Sequence, residues 1–351
     1  MEPLKRYLSP NDVQRWHALI GHARSIVVVG HASPDGDAMG AALALYHYLH
    51  NLRRYTTVIM PNRWPDFLRW LPGAKDVVNA DYQPERAATL FARADLIFCV
   101  DFNSFDRTEK IAPLLQAATA HKIMIDHHVD PDVAPFTLAI SDPSAVATCQ
   151  IIFTLLRQLN YYKRMPIETA QCLYCGIMTD TGAFAYNSNS PSLFQDVAWL
   201  LGKGIDKDQI YRNVYYSYSL DRLRLQGYLL NQKLTYLPEL HTAVFALTRQ
   251  EMRDYNFKKG DAEGFVNLPL QIKGTVLSIS LREDTEDNLV RVSLRSVGSF
   301  SCEPMAKRFF NGGGHANAAG GKLPNVSIDQ ALNITHRAIQ AYADTLRNAT
   351  P

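Results

Sequence analysis

His31-Ala32-Ser33-Pro34-Asp35-Gly36-Asp37-Ala38-Met39-Gly40 places one imidazole and two carboxylates on a sharp bend directly after an apolar run. The run is Ile26-Val27-Val28-Val29, four β-branched residues bounded by Gly30 and Pro34, which predicts a buried strand whose exit is forced into a loop. Beyond the loop, Ala38, Met39, Ala41, Ala42, Leu43, Ala44 and Leu45 are strong helix formers with no interior breaker. His31, Asp35 and Asp37 are therefore expected on a strand-to-helix turn. Open α/β sheets place ligand chemistry there, at the carboxyl end of a strand. Two readings compete for the turn: Asp35-Gly36 as a surface turn with Asp37 as a helix N-cap, or all three polar side chains as metal ligands.

Two further apolar runs end the same way. Leu96-Ile97-Phe98-Cys99-Val100 runs into Asp101, and Lys122-Ile123-Met124-Ile125 runs into Asp126-His127-His128, with a helix-forming segment from Glu109 to Ala120 between them. Strands alternating with helices at this spacing imply βαβ units and a parallel sheet, which brings all three strand ends to one edge. Around this pattern the sequence predicts an opening helix from Pro10 to Ala23 capped by Ser9, a helix from Asp37 to about Leu52 and a strand Thr57–Met60. An aromatic, proline-punctuated connection follows between Pro61 and Gly73. A strand Phe136–Ile140, a helix from Ala145 to Leu159 and a helix from Ile167 to Met178 come later, the last leading into Thr179-Asp180-Thr181-Gly182. Helical, Tyr-rich segments continue to about Leu230.

From His241 the pattern changes. Strands are expected at Thr242–Leu247, Thr275–Leu281 and Leu289–Leu294, a helix at Pro304–Phe310 and a last helix from Ile328 to about Leu346. Before that last helix stands Asn311-Gly312-Gly313-Gly314-His315. These shifts predict an α/β fold in two domains, residues 1–190 and 241–351, joined by a helical hinge over 191–240. A chain of 351 residues exceeds what one core usually covers.

Composition narrows the function classes. At 47% hydrophobic and 20% charged, the chain is that of an ordinary globular protein, and its net charge of +2 advertises no binding to long nucleic acid. No window approaches a membrane span and Met1-Glu2-Pro3-Leu4-Lys5-Arg6 lacks an apolar signal core, so a cytoplasmic location is the expectation. Five cysteines, Cys99, Cys149, Cys172, Cys175 and Cys302, fit reduced core thiols rather than a disulfide framework. Cys172-Leu173-Tyr174-Cys175 lies in a helical, apolar stretch without a second pair and is assigned to core packing.

Collected at element ends are His31, Asp35, Asp37, Asp101, His127, His128 and Asp180, with Asp126 adjacent. Carboxylates on neighbouring loops repel unless cations sit between them. Two divalent ions meet that need, and a mixed Asp/His set without thiolate suits Mn²⁺ better than Ca²⁺ or a structural zinc. Ions about 3.5–4 Å apart can clamp the attacking and leaving oxygens of a phosphoryl transfer, which points to phosphoester hydrolysis. Further along, Val290-Arg291-Val292-Ser293-Leu294-Arg295 puts Arg291, Ser293 and Arg295 on one strand face, and the glycine triplet lets backbone N–H groups approach an anion beside His315. A plain glycine-rich turn before a helix is the other reading of that triplet.

His31-x-x-x-Asp35-x-Asp37-x-x-Gly40, Asp101, Asp126-His127-His128, Asp180 and Gly312-Gly313-Gly314-His315, in this order and with these gaps, resemble the DHH phosphoesterase family with its DHH-associated C-terminal domain. The resemblance covers roughly residues 15 to 340. It implies an N-terminal parallel-sheet domain and a smaller C-terminal α/β domain, with the active site in the cleft between them. It further implies that His31 and Asp35 hold one metal, that Asp37, His127 and Asp180 hold the other, and that Asp101 bridges both. His128 would face the scissile phosphate, supported by Asp126 through hydrogen bonds. Asn103, Arg107, Arg291, Arg295, Gly312, Gly313, Gly314 and His315 would contact substrate, Arg295 being favoured over Arg291 for a terminal phosphate.

Size and the absence of sensor modules look most like the stand-alone nanoRNase and pAp-phosphatase branch. That branch implies short RNA oligonucleotides and 3′-phosphoadenosine 5′-phosphate (pAp) as substrates, and is compatible with a homodimer. Two alternatives stand beside it: the same chemistry on cyclic di-AMP, pApA or pGpG, and a non-catalytic nucleotide-binding protein. The intact ligand set speaks against the latter.

Overall fold

Strand β1 (Ile26–Val29) is buried along its whole length at the middle of a six-stranded sheet. The computed structural model describes residues 5–258 and 260–350, so Met1 to Leu4 of the amino-terminal stretch lie outside the described residues. With β2 (Thr56–Met60), β3 (Val78–Asn79), β4 (Leu96–Val100), β5 (His121–Asp126) and β6 (Leu138–Ser141), the order is β3-β2-β1-β4-β5-β6, every pairing parallel. The order reverses between β1 and β4. A crevice opens beyond the carboxyl ends of strands at such a point.

Parallel sheets need cover on both faces, which explains the unbroken apolar runs. Val28, Phe98 and Ile123 face one core with α1 (Pro10–His22) and α2 (Gly36–Asn51), whereas Val27, Val29, Ile97 and Cys99 face the other with α3 (Pro84–Arg93) and α4 (Ala112–Ala117). The first core continues through α5 (Thr148–Gln158), α6 (Ile167–Asp180), α7 (Pro191–Leu201) and α8 (Lys207–Tyr215). Trp16 of α1 is fully buried, its ring edge-on to Phe98 at 5.4 Å and its indole N–H donating to the Tyr48 hydroxyl. Cys172 and Cys175 are buried, reduced and part of this core.

The chain divides into two compact units, Met1–Ser217 and Tyr218–Pro351. Among the described residues no helix is long and apolar enough to cross a membrane. The second unit contains α9 (Leu220–Tyr228), β7 (Thr235–Leu237), β8 (Thr242–Leu247), α10 (Arg249–Asp254), β9 (Leu277–Glu283) and β10 (Leu289–Ser296). α11 (Glu303–Phe309), β11 (Gly313–His315), β12 (Ala318–Pro324), α12 (Ile328–Ala341) and α13 (Ala343–Arg347) complete it. Its sheet runs β11-β12-β10-β9-β8-β7, with β8 and β9 parallel and the other pairs antiparallel. Val244 and Ala246 face the core under α11 to α13, whereas Phe245 and Leu247 face a smaller cluster with Leu225, Met252 and Phe265.

Several local expectations need correcting. The segment from Glu109 to Ala120 is not one helix: a 3₁₀ stretch, Phe105–Ile111, carries Glu109 at φ +50°, and α4 spans only Ala112–Ala117. The helix expected from Ala145 starts at Thr148, because Ala147 is extended and the first helical N–H groups are taken by a carboxylate from elsewhere in the chain. The last helix breaks at Tyr342, and the glycine triplet enters a β-hairpin rather than a turn before a helix. β3 and α3 have no counterpart in the sequence reading. A two-residue strand is too short to show a period.

Candidate metal centre

The turn after β1 is tied on both sides. Ala32 N–H donates to the Arg107 carbonyl at 2.8 Å, and Ser33 N–H donates to Asn62 Oδ1 at 2.7 Å. Asp35 Oδ1 accepts the backbone N–H groups of Asp37 and Ala38, each at 3.0 Å, so Asp35 caps α2. The cap considered for Asp37 therefore belongs to Asp35, which is extended ahead of the helix, whereas Asp37 already lies in its first turn. Its other oxygen, Oδ2, is not used by the cap and lies 3.8 Å from His31 Nε2.

Asp101, just past β4, is 2% exposed and has φ +63°, a left-handed conformation that aspartate tolerates better than most residues. Its Oδ2 is 3.4 Å from His31 Nε2, and its Oδ1 is 3.6 Å from His127 Nε2. His127 Nε2 in turn lies 4.0 Å from Asp37 Oδ2 and 3.5 Å from Asp180 Oδ2, at the end of α6. Both histidines point the same ring atom inward for the same reason. His31 Nδ1 pairs with the Ala32 carbonyl at 2.8 Å and His127 Nδ1 with the Ala145 carbonyl at 3.2 Å. A carbonyl can only accept, so each Nδ1 carries a proton and each ring turns its Nε2 toward the carboxylates.

His31, Asp35 and Asp101 form one group whose ligand atoms lie within 4.8 Å of one another, and Asp37, Asp101 and His127 form a second. Asp101 belongs to both, and Asp180 adjoins the second through His127. Burial and the negative charges of Asp101 and Asp180 push the Asp37 carboxyl well above the ordinary carboxylate range. Burial acts to lower His31, but Asp101 and Asp35 outweigh it and raise it to about 10. A buried carboxyl raised by its negative neighbours, as Asp37 is beside Asp101 and Asp180, is a charge pattern that a divalent cation relieves. Oxygen and imidazole donors without thiolate fit such an ion, and these clusters can hold metal.

Asp126, at the end of β5, stands one step behind. Its Oδ1 lies 2.7 Å from His128 Nδ1 and its Oδ2 accepts the His128 backbone N–H at 3.1 Å. Asn103 uses its side-chain amide to hold the Val129 carbonyl at 2.8 Å, and Arg107 is exposed near the His31 turn to which its carbonyl is bonded. Asn62 and Thr148 are missing from the sequence reading. Neither sits in a motif, and both act across the fold.

In the second unit, cross-strand register sets His315, Ala318 and Arg295 side by side, with Gly313, Gly320 and Ser293 in the next row on that face. Small residues thus floor a strip flanked by an imidazole and a guanidinium. Two of the triplet glycines have a packing reason: a Cβ on Gly312 would meet the Gly320 carbonyl oxygen at 1.8 Å, and one on Gly314 the Ala318 oxygen at 2.5 Å. Arg291, on the same face as Arg295, is ion-paired with Asp284.

Two family models match this chain. The model described as "DHH family, N-terminal domain" matches residues 25–177, and that described as "DHHA1 domain" matches residues 241–344. The chain belongs to the DHH phosphoesterase family. Over 92% of its length this DHH protein is 30% identical to the bifunctional oligoribonuclease and PAP phosphatase NrnA of Thermus thermophilus, covering 91% of that protein. It is 24% identical over 92% of its length to the cyclic-di-AMP phosphodiesterase GdpP of Geobacillus thermodenitrificans, of which it spans only 48%. Among solved structures, an exopolyphosphatase-related protein from Bacteroides fragilis superposes with a TM-score of 0.92 at 41% identity, covering 98% of this chain and 100% of that one.

Proposed function

We propose that this DHH protein is a two-metal phosphodiesterase and phosphatase that hydrolyses very short oligoribonucleotides to mononucleotides and pAp to AMP. The observation that carries the chemistry is the buried Asp101, shared by two groups of ligand atoms at the carboxyl edge of the sheet. The substrate class draws support from the match to the Thermus protein, which runs nearly end to end in both chains.

His31 and Asp35 would hold one ion, Asp37, His127 and Asp180 the other, and Asp101 both, with Mn²⁺ the expected metal. Bound ions supply Lewis acidity, lower the pKa of an attacking water and neutralise charge on the phosphoryl oxygens. The Ala32 and Ala145 carbonyls hold His31 and His127 with Nε2 turned toward the carboxylates, where a bound cation would take the place of a proton. His128, its Nδ1 held by Asp126, offers its Nε2 edge to the scissile phosphate or the leaving oxygen. Asn103 steadies the loop that carries His128, and exposed Arg107 meets substrate phosphate from the rim. In the second domain Arg295 and His315 bind the substrate's terminal phosphate above the strip of Gly313, Ser293 and Gly320. Arg291, already committed to Asp284, contributes less.

A rate panel with Mn²⁺ tests the proposal: pAp, 5′-phosphorylated di- to pentanucleotides, pApA, pGpG and cyclic di-AMP side by side. Turnover of pAp and of the shortest oligonucleotides well above cyclic di-AMP is the expected result. Cleavage of cyclic di-AMP alone would replace the substrate and keep the chemistry, and binding without turnover of any of them would leave a nucleotide-binding protein.

A further inference from the structure

The amino terminus of α5 grips both carboxylates on which the metal clusters depend. Thr148 N–H donates to Asp37 Oδ2 at 2.6 Å and Cys149 N–H to Asp37 Oδ1 at 2.9 Å, while the Thr148 hydroxyl donates to Asp101 Oδ1 at 3.0 Å. Ala147 precedes the helix and gives it no side-chain cap, so Asp37 of α2 serves as the cap from outside. Unpaired N–H groups at a helix start favour an anion. Gly176 of α6 keeps this pocket open, since a Cβ there would fall 2.8 Å from Asp37 Oδ1 and 2.3 Å from Cys149 Sγ.

We infer that Thr148 is a positioning residue that holds Asp101 in the orientation shared by both clusters. Thr148 is fully buried, and its hydroxyl faces a carboxylate rather than a solvent partner. Asp101 is a single residue in a left-handed backbone conformation, placed between His31 on one oxygen and His127 on the other. Rotation about its side chain would break the sharing, because each oxygen serves a different histidine. The Thr148 hydroxyl occupies one lone pair of Oδ1 and so restrains that rotation. The backbone bonds to Asp37 survive any side-chain change at 148, so the hydroxyl can be tested alone.

This inference rests on the metal-bearing reading of the clusters, and the experiment separates the two. Mn²⁺ binding to metal-stripped wild type, Thr148→Val and Thr148→Ser is measured by titration calorimetry, followed by kcat and KM on pAp. Groups that orient ligands typically carry 10–100-fold in metal affinity. Thr148→Val, which keeps the shape and loses the hydroxyl, should bind Mn²⁺ about ten-fold or more weakly and lose kcat with KM little changed. Thr148→Ser should restore both. If Thr148→Val fails to fold, Thr148→Ala makes the same comparison. Wild type that takes up no Mn²⁺ overturns the metal-bearing reading itself. Wild type that binds, with a folded hydroxyl-free variant binding equally well, overturns the role of Thr148 alone.

Discussion

Asp101 sets its two oxygens against two different histidines, and the sharper of these relationships is with His31, whose Nε2 lies 3.4 Å from Asp101 Oδ2 in a fully buried setting. No other carboxylate here belongs to both clusters assigned to metal. Replacing Asp101 by alanine should therefore lower kcat by about a thousand-fold or more, the scale expected when metal-derived stabilisation of several kcal/mol is lost. Circular dichroism should show the fold retained. Residual activity within ten-fold of wild type would refute the shared-ligand assignment.

His128 and Asp126 form a second testable pair, 2.7 Å apart at Nδ1 and Oδ1. His128→Ala should reduce kcat by about a hundred-fold or more, the usual contribution of a positioned proton donor, while Mn²⁺ affinity stays near wild type. Asp126→Asn should fall between wild type and His128→Ala. If Asp126→Asn matched wild type in kcat, the hydrogen bond would have no bearing on catalysis.

Arg295 stands on the same sheet face as His315 with only Ala318 between them. Arg295→Ala should raise KM for 5′-phosphorylated dinucleotides about 10- to 100-fold, as expected for losing hydrogen bonds to a charged group, and leave Mn²⁺ binding unchanged. Arg291→Ala should act mainly on stability, because its partner is Asp284. Equal KM effects from the two would place both arginines at the phosphate.

Chelation offers a direct check on the clusters. Dialysis against EDTA should abolish hydrolysis and lower the melting temperature, and Mn²⁺ at about a hundred times its Kd should restore some 2.7 kcal/mol of stability through linkage. A melting temperature indifferent to Mn²⁺ would show that the clusters bind none.

Acid should unfold this protein through three carboxyls outside the two candidate metal groups. Burial acts to raise Asp142, Glu251 and Asp284, yet Lys5, Lys233 and the Asp287 and Glu286 N–H groups, among other donors, outweigh it and hold each at about 2. Each carboxyl is lower in the folded state than unfolded. Its contribution is thus present above about pH 4 and lost as pH falls toward 2. Asp142→Asn, which gives up the charge that binds Lys5 and the Tyr7 hydroxyl, should cost more melting temperature at pH 7 than at pH 3. An identical loss at both would remove Asp142 from the acid transition.

Much of the site was legible along the chain because its polar residues stand at the ends of apolar runs. The β-branched run Ile26–Val29 and its counterparts before Asp101 and Asp126 could only be buried strands, and the intervening lengths allowed only parallel crossovers. His31, Asp101 and His127 meet for that reason, and Asp180 joins them from the end of α6. β3, at two residues, and the break at Glu109 left no periodic signal.

What sequence by itself determined was the local chemistry: which side chains end which strands, and hence the family that the chain resembles. Only the tertiary structure decided how each carboxylate spends its lone pairs. Asp35 rather than Asp37 caps α2, Asp37 caps α5 across 111 residues, and Thr148 reaches Asp101 across 47. The physical reason is that strand and helix formation depend on neighbours three or four residues away, whereas a buried carboxylate takes whatever donors the packed fold brings to it.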